Sequence, residues 1–126
     1  MRSRDRVARV DDRERARWQE HGRRHGYIRA RLRLLTTQQG GRRSPISSGY
    51  RSCWRFPPEV HAEMHDGPLV LEEQQLLELG AVATVRLYPL VPSLWPDVYT
   101  GMHLDMFEGS RQVGEAVVLE VVGPER

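Results

Sequence analysis

The 126-residue sequence predicts an all-β fold of about six short strands, arranged as a barrel or a sandwich. Apolar and polar residues alternate in several segments, and clusters of glycine and proline separate these segments at short intervals. After residue 26 the chain shows little of the 3.6-residue apolar period of a helix. Closure into a barrel is physically attractive, because it removes the exposed edges of a short sheet.

The first predicted strand is the segment 27–34, in which apolar residues alternate with Arg29, Arg31 and Arg33. This period of two is typical of a strand with one buried face. Further strands are predicted at 50–56, 69–71, 81–87, 102–107 and 113–122. Residues 72–79 are ambiguous and could form a helical turn. Prolines predict a stiff connection at 88–97, and residues 59–67 a polar loop.

The N-terminal residues 1–26 form a basic arm. Residues 1–33 contain 12 arginines and five acids, whereas the remaining 93 residues contain seven arginines and 12 acids. Because apolar side chains are sparse in the arm, we expect disorder or one frayed helix. The arm is interpreted as an RNA-binding segment, a solvated tail, or leader sequence translated from a start upstream of the true one. The barrel is expected at 27–123, with a tail at 124–126.

Composition favours a cytoplasmic protein. Cys53 is the single cysteine, so no internal disulfide can form, and a buried, inert thiol is the expected state. No apolar run approaches the ~20 residues needed to span a bilayer. A charged N-terminus without an apolar segment after it argues against a secretory signal. We therefore expect no membrane partner.

Two motifs give the sequence a family resemblance. Segment 40–51 reads Gly-Gly-Arg-Arg-Ser-Pro-Ile-Ser-Ser-Gly-Tyr-Arg. It resembles the Gly-Gly-Arg-His-Thr-Pro…Gly-Tyr-Arg segment of the C-terminal domain of elongation factor Tu. Segment 108–118 reads Glu-Gly-Ser-Arg-Gln-Val-Gly-Glu-Ala-Val-Val, and it resembles the closing hairpin of that domain, Glu-Gly-Gly-Arg-Thr-Val-Gly-x-Gly-Val-Val. The motifs occur in the family's order, and the resemblance covers about residues 27–123.

The resemblance implies a six-stranded, antiparallel, Greek-key-like closed barrel that functions in translation. In the family this domain contacts the backbone of tRNA, and the family's RNA-facing residues match Arg42, Arg43 and Glu108. Arg51 and Arg111 would join them in a cationic patch if the two turns are neighbours. The candidate RNA- or partner-binding residues are Arg42, Arg43, Arg51, Glu108 and Arg111. The expected partners are tRNA or another structured RNA, or a translation-associated protein.

The chain departs from the family at several RNA-facing positions. Arg43 stands where the family has a histidine, Cys53 where it has a glutamine, and Phe107 where it has an arginine. The thiol of Cys53 cannot replace the hydrogen bonds of an amide. The scaffold is therefore better preserved than the RNA face.

The connection 88–101 is longer than in the family and carries Trp95 and Tyr99. These aromatic residues are predicted either to bind a protein partner or to cap one end of the barrel. Two alternatives to RNA binding follow. The chain is a protein-interaction module that uses the barrel side and this loop, or it is a remnant of an elongation factor without an independent role.

No catalytic function is predicted. The chain has no lysine, so the phosphate-binding loop G-x-x-x-x-G-K-[ST] is absent, and neither nucleotide binding nor GTP hydrolysis is expected of this chain alone. No nucleophile, base and orienting group occur together in a motif. No cofactor is expected.

The loop segment around residues 59–66 is rich in metal-ligand types, with Glu59, His61, Glu63, His65 and Asp66. Its His-x-Glu-x-His spacing is not the H-E-x-x-H of zinc proteases, and no helix is predicted there to align the side chains. We interpret the segment as a solvated loop and predict no metal site.

Overall fold

The computed structural model describes the backbone of residues 2–126 and the side chains of residues 12–126. It consists of one helix and a curled antiparallel sheet that forms a half-barrel. Helix α1 spans Arg2–His25. The strands are β1 (Tyr27–Leu34), β2 (Ile46–Ser47), β3 (Cys53–Arg55), β4 (His65–Asp66), β5 (Leu69–Leu71), β6 (Leu76–Leu77), β7 (Val82–Leu87), β8 (His103–Glu108) and β9 (Arg111–Val122).

The main sheet has the strand order β4-β3-β8-β9-β1-β7-β5, and β2 pairs with β6 in a small second ladder. All of these pairings are antiparallel. Strand β1 lies between β9 and β7, so it is hydrogen-bonded on both edges. The prediction of a mostly β body is therefore confirmed.

Strand β1 follows the predicted alternation. Its inward side chains are all buried: Ile28, Ala30, Leu32 and Leu34. On the outer face the guanidinium of Arg29 donates two hydrogen bonds of 2.9 Å to the carboxylate of Glu72. Arg33 forms an ion pair with Glu115 of β9. The strand thus separates an apolar core from a charged surface.

The core contains polar groups that are hydrogen-bonded internally. The indole Nε1 of Trp54 and the hydroxyl of Ser52 both donate to the carbonyl oxygen of Gly67, at 2.8 and 2.9 Å. A buried donor without an acceptor costs about 1–3 kcal/mol, so this shared carbonyl lets Trp54 occupy the centre of the core. The bonds also hold the connection between β4 and β5 against β3.

The structure differs from the sequence predictions in the short strands. The ambiguous residues 72–79 contain β6 and no helix, and the predicted loop 59–67 contains β4. The predicted strand 50–56 is shortened to β3. Strands of two or three residues have too little sequence for a readable period, and their pairing with distant segments determines them.

The N-terminal arm, for which disorder or one frayed helix was expected, contains α1, and residues 12–25 of this helix pack on the sheet. Trp18 is buried, and its ring stacks on that of Tyr88 at 5.6 Å between centroids. A Cβ atom at Gly22 would lie 2.9 Å from the ring of Tyr88, so the helix can approach closely only with glycine there. Arg15 donates to the carbonyl oxygens of Glu72 and Gln74, at 3.1 and 2.9 Å.

The three interpretations of the arm at residues 1–26 stay predictions, and the side chains of residues 1–11 lie outside the described residues. In the part of the chain that the structure describes, no helix is both long and apolar enough to cross a membrane.

Candidate nucleic-acid interface

The first motif folds as a tight turn after β1. The side chain of Thr36 accepts a hydrogen bond of 3.2 Å from the amide of Gln39, and Gly40 adopts a φ of 90°. A Cβ atom at Gly41 would lie 2.7 Å from the carbonyl oxygen of Leu35. Gly40 thus supplies the positive φ of this turn, and Gly41 allows the close approach of the backbone.

The second motif forms the hairpin between β8 and β9. Glu108 lies opposite Arg111 at its tip, and the register shifts between Met106 and Phe107. Such a bulge increases the local bend and redirects the side chains that follow it. The carboxylate of Glu108 consequently lies next to the first turn.

Arg42, Tyr50 and Glu108 form one hydrogen-bonded cluster that joins the two motifs. Nη1 of Arg42 and the hydroxyl of Tyr50 both donate to Oε2 of Glu108. The guanidinium carbon of Arg42 lies 4.8 Å from the centre of the Tyr50 ring, within the range of a cation–π contact. Nε and Nη2 of Arg42 donate to the backbone and side-chain oxygens of Ser44, at 3.2 and 3.1 Å. Arg42 is therefore largely engaged within the protein.

The cluster has a defined charge state at neutral pH. The hydrogen bonds from Tyr50 and then Arg42 hold the pKa of Glu108 below its usual value, so the carboxylate stays ionised. Burial, followed by the hydrogen bond to Glu108, raises the pKa of Tyr50 to about 12. The phenol therefore stays protonated and remains a donor to the carboxylate.

The other three predicted residues are next to members of this cluster in the sequence or in the strand pairing. Arg43 follows Arg42 in the first turn, Arg51 follows Tyr50, and Arg111 lies across the hairpin from Glu108; all three are exposed. We call the five predicted residues, Arg42, Arg43, Arg51, Glu108 and Arg111, the turn face. Sequence analysis did not assign Tyr50 to it, although the Gly-Tyr-Arg motif contains that residue.

The structure separates the two aromatic residues of the 88–101 connection. Trp95 is half-buried and lies edge-on to Phe56, with 5.1 Å between ring centroids. Its indole Nε1 is buried and has no hydrogen-bond partner among the described residues. Tyr99 is 54% exposed. Trp95 thus packs against the core, whereas Tyr99 is open to a partner.

The loop between β3 and β4 brings together three side chains that sequence analysis treated as solvated. The ligand atoms of His61, Glu63 and His65 lie within 4.8 Å of one another. Both histidines are half-buried, so the solvated-loop interpretation is wrong for them. Cys53 is also half-buried, and burial raises the pKa of its thiol, which disfavours the reactive thiolate.

No family model matches the sequence. The relation to elongation factor Tu therefore remains a hypothesis that depends on the two motifs.

The Tyr50–Glu108 hydrogen bond is testable by alkaline titration. The pKa of Tyr50 is raised from its ordinary value of 10.0, so its contribution to stability is complete below pH 10 and is lost as the pH rises through about 12. We expect Tyr50→Phe to remove one late step from the phenolate absorbance titration. Glu108→Gln should shift that step to lower pH, because the negative carboxylate disfavours the phenolate.

Glu115→Gln is the matched control for this titration, because it neutralises an exposed carboxylate on the neighbouring strand. It should leave the late step in place. An unchanged step in Glu108→Gln would contradict the hydrogen bond.

Proposed function

We propose that the chain is a non-catalytic binding module related to the C-terminal domain of elongation factor Tu, which contacts the backbone of tRNA or another structured RNA at the turn face. The cluster of Arg42, Tyr50 and Glu108 carries this proposal, because it joins two motifs more than 50 residues apart into one surface. These residues come from two motifs that only the family resemblance had linked, and in the structure they are neighbours.

The chemistry of the turn face fits an RNA backbone. Arg43, Arg51 and Arg111 are exposed guanidinium groups, and arginine is a preferred partner of phosphate oxygens. Oε2 of Glu108 already accepts two hydrogen bonds, whereas its Oε1 has no hydrogen-bond partner among the described side chains. This free oxygen is an acceptor for the 2′-hydroxyl that distinguishes RNA from DNA. Arg42 then positions Glu108 and partly neutralises it.

The distribution of charge concentrates attraction for phosphate at this surface. Four of the seven arginines after residue 33 belong to the turn face, whereas that part of the chain is acidic overall. Of the remaining three, Arg55 pairs with Asp105 and Arg86 with Glu72. The turn face is therefore the main exposed cationic region in the part of the chain after residue 33.

We propose further that the half-barrel closes into the six-stranded barrel of that family. The terminal strands β4 and β5 are separated only by Gly67 and Pro68. The amides of Gly67 and Leu69 donate to the carbonyl oxygens of Ser52 and Tyr50, at 2.9 and 3.2 Å, and the amide of Gly49 donates to Leu69 at 2.8 Å. These bonds extend the β3–β4 ladder along β5, which also pairs with β7.

Closure is testable by hydrogen exchange. In a closed barrel the amides of Gly49, Gly67 and Leu69 should exchange nearly as slowly as that of Leu32 in the central strand. The amide of Ser110, at the tip of the hairpin, is the fast reference. Exchange of the first three amides at the rate of Ser110 would show an open edge.

The RNA proposal is tested by titrating tRNA against the full chain over a range of salt concentrations. We expect Arg43→Glu/Arg111→Glu to weaken binding at least tenfold and to reduce the slope of log affinity against log salt by roughly two, about one for each lost phosphate contact. This pair leaves the internal hydrogen bonds of Arg42 intact.

The matched control is Arg31→Glu/Arg126→Glu, which makes the same change in net charge at two exposed positions outside both the turn face and the basic arm. It should retain most of the affinity and the slope. Equal losses of affinity in both double variants would show that binding is a general charge effect and would contradict a specific site at the turn face. Absence of binding by the full chain would refute the proposal.

A protein-interaction module is the second candidate, and the exposed apolar side chains of the 88–101 connection favour it. The large exposed hydrophobic residues there are Leu90, Val91, Leu94 and Tyr99, each between 37% and 54% exposed. Their grouping on one connection is typical of a protein contact surface. This surface needs no cationic residue, so its binding should depend only weakly on salt.

We expect Leu94→Ser/Tyr99→Ser to abolish the capture of a specific protein partner that the unmodified chain retains at high salt. Val60→Ser/Met64→Ser, which alters two exposed apolar residues of another loop, should leave that partner bound. A partner list that is unchanged in the first variant would count against this candidate.

A further inference from the structure

The loop from Pro57 to Met64 follows the C-terminal end of β3. Together with the first residue of β4, it brings together nitrogen and oxygen atoms that could bind a metal ion. Nε2 of His61 lies 2.8 Å from Nε2 of His65, and the carboxylate of Glu63 completes a group whose ligand atoms lie within 4.8 Å of one another. We propose that His61, Glu63 and His65 bind a divalent transition-metal ion such as Zn²⁺. This site is independent of the RNA proposal.

The local fold explains why the two imidazoles meet. The amides of Val60 and His61 both donate to the carbonyl oxygen of Pro57, at 2.9 and 3.1 Å, which turns the chain back. His65 lies in β4, where it pairs with Trp54 of β3. One histidine is thus fixed by a turn and the other by a strand, so the backbone brings both side chains to one place before any ion binds.

Aromatic packing further restricts the two rings. Phe56 lies edge-on to His61 at 5.5 Å between centroids, and its ring is 6.1 Å from that of His65. Both histidines are half-buried, whereas Glu63 is exposed. A ligand pair whose rotamers are limited in this way loses little conformational entropy on binding an ion.

The geometry is near that of a metal site. With bonds of about 2.0–2.2 Å, two neighbouring ligands of a tetrahedral zinc ion are about 3.4 Å apart. The two Nε2 atoms need to separate by only a few tenths of an ångström, and Glu63 reaches the ion by rotation of an exposed side chain. Two imidazoles and one carboxylate are ligands that Zn²⁺ accepts, and they leave the fourth position for water or a partner's ligand.

A neutral histidine pair could form the same short contact through one shared hydrogen bond. In that state one Nε2 donates and the other accepts, and Glu63 has no role. The metal proposal differs because both Nε2 atoms direct lone pairs at one point and the carboxylate contributes to affinity. The metal site therefore predicts that removal of the Glu63 carboxylate weakens zinc binding, whereas a hydrogen-bonded histidine pair predicts no role for Glu63.

Zinc binding by the full chain, measured by calorimetry with zinc chloride, tests the proposal. We expect one ion per chain, a loss of binding in His61→Asn, and at least tenfold weaker binding in Glu63→Gln. The imidazole proton signals of His61 and His65 should shift on zinc addition, and magnesium chloride should cause no shift, because Mg²⁺ prefers oxygen ligands. Near-ultraviolet circular dichroism of each variant verifies that it remains folded.

The chain offers a demanding control in a second histidine pair. His21 and His25 are one helical turn apart in α1, with ring centroids 4.7 Å apart, and such a pair can itself chelate zinc. His25→Ala should leave zinc affinity unchanged, and so should His103→Asn. If His25→Ala removes binding while His61→Asn does not, the ion belongs to the helix and the proposal is wrong. Unchanged affinity in Glu63→Gln, or no binding by the full chain, would also overturn it.

Discussion

The pairing of β1 with both β7 and β9 is the constraint on which the rest of the structure depends. Because successive side chains of a strand point to opposite faces, a slip of one residue would place Arg29, Arg31 and Arg33 in the core and expose its leucines. Burying one leucine or isoleucine contributes about 1.5–3 kcal/mol, whereas an unpaired buried guanidinium would cost several times as much. The register of the central strand is therefore determined by its own sequence.

That register also assembles the turn face. Leu34, the last residue of β1, lies opposite Gly114 of β9, and the amide of Leu35 donates to the carbonyl oxygen of Val113 at 2.9 Å. The turn after β1 is thus held beside the hairpin that carries Glu108. The ion pair of Arg42 with Glu108 follows from strand pairing and does not need to drive it. A partly exposed pair of this kind contributes only about 0–1 kcal/mol, so its main effect is to orient the two side chains.

The features that could be predicted from the sequence are those with a local signal. The alternation in 27–34 predicted β1, and the glycines of both motifs predicted turns in the right places. The docking of α1 had no such signal, because residues 12–25 are mostly charged and Trp18 is buried through contact with Val70 and Tyr88, far along the chain. Short strands such as β4 and β6 are likewise determined by distant partners.

The same distinction applies to the candidate sites. The nearness of Arg42 and Glu108 could be predicted only through the resemblance, which supplied the order and role of the two turns. Tyr50 was missed because its contribution is a hydrogen bond between motifs, which neither motif contains by itself. The meeting of His61 and His65 requires both the turn at Pro57 and the pairing of β4 with Trp54, and no spacing rule includes them.

The stability of the fold does not explain why the arginines of the turn face are exposed. After residue 33 the chain contains more acidic residues than arginines, so it has enough carboxylates to pair with Arg43, Arg51 and Arg111. Arg55 and Arg86 have such partners, on the outer faces of their strands. Among the described side chains, these three arginines form no ion pair. Because an exposed ion pair contributes at most about 1 kcal/mol, its absence costs the fold very little. Under the proposed function, an anionic ligand would determine the positions of these arginines, and Glu108, held in place by Tyr50 and Arg42, would be the acceptor that orients the ligand.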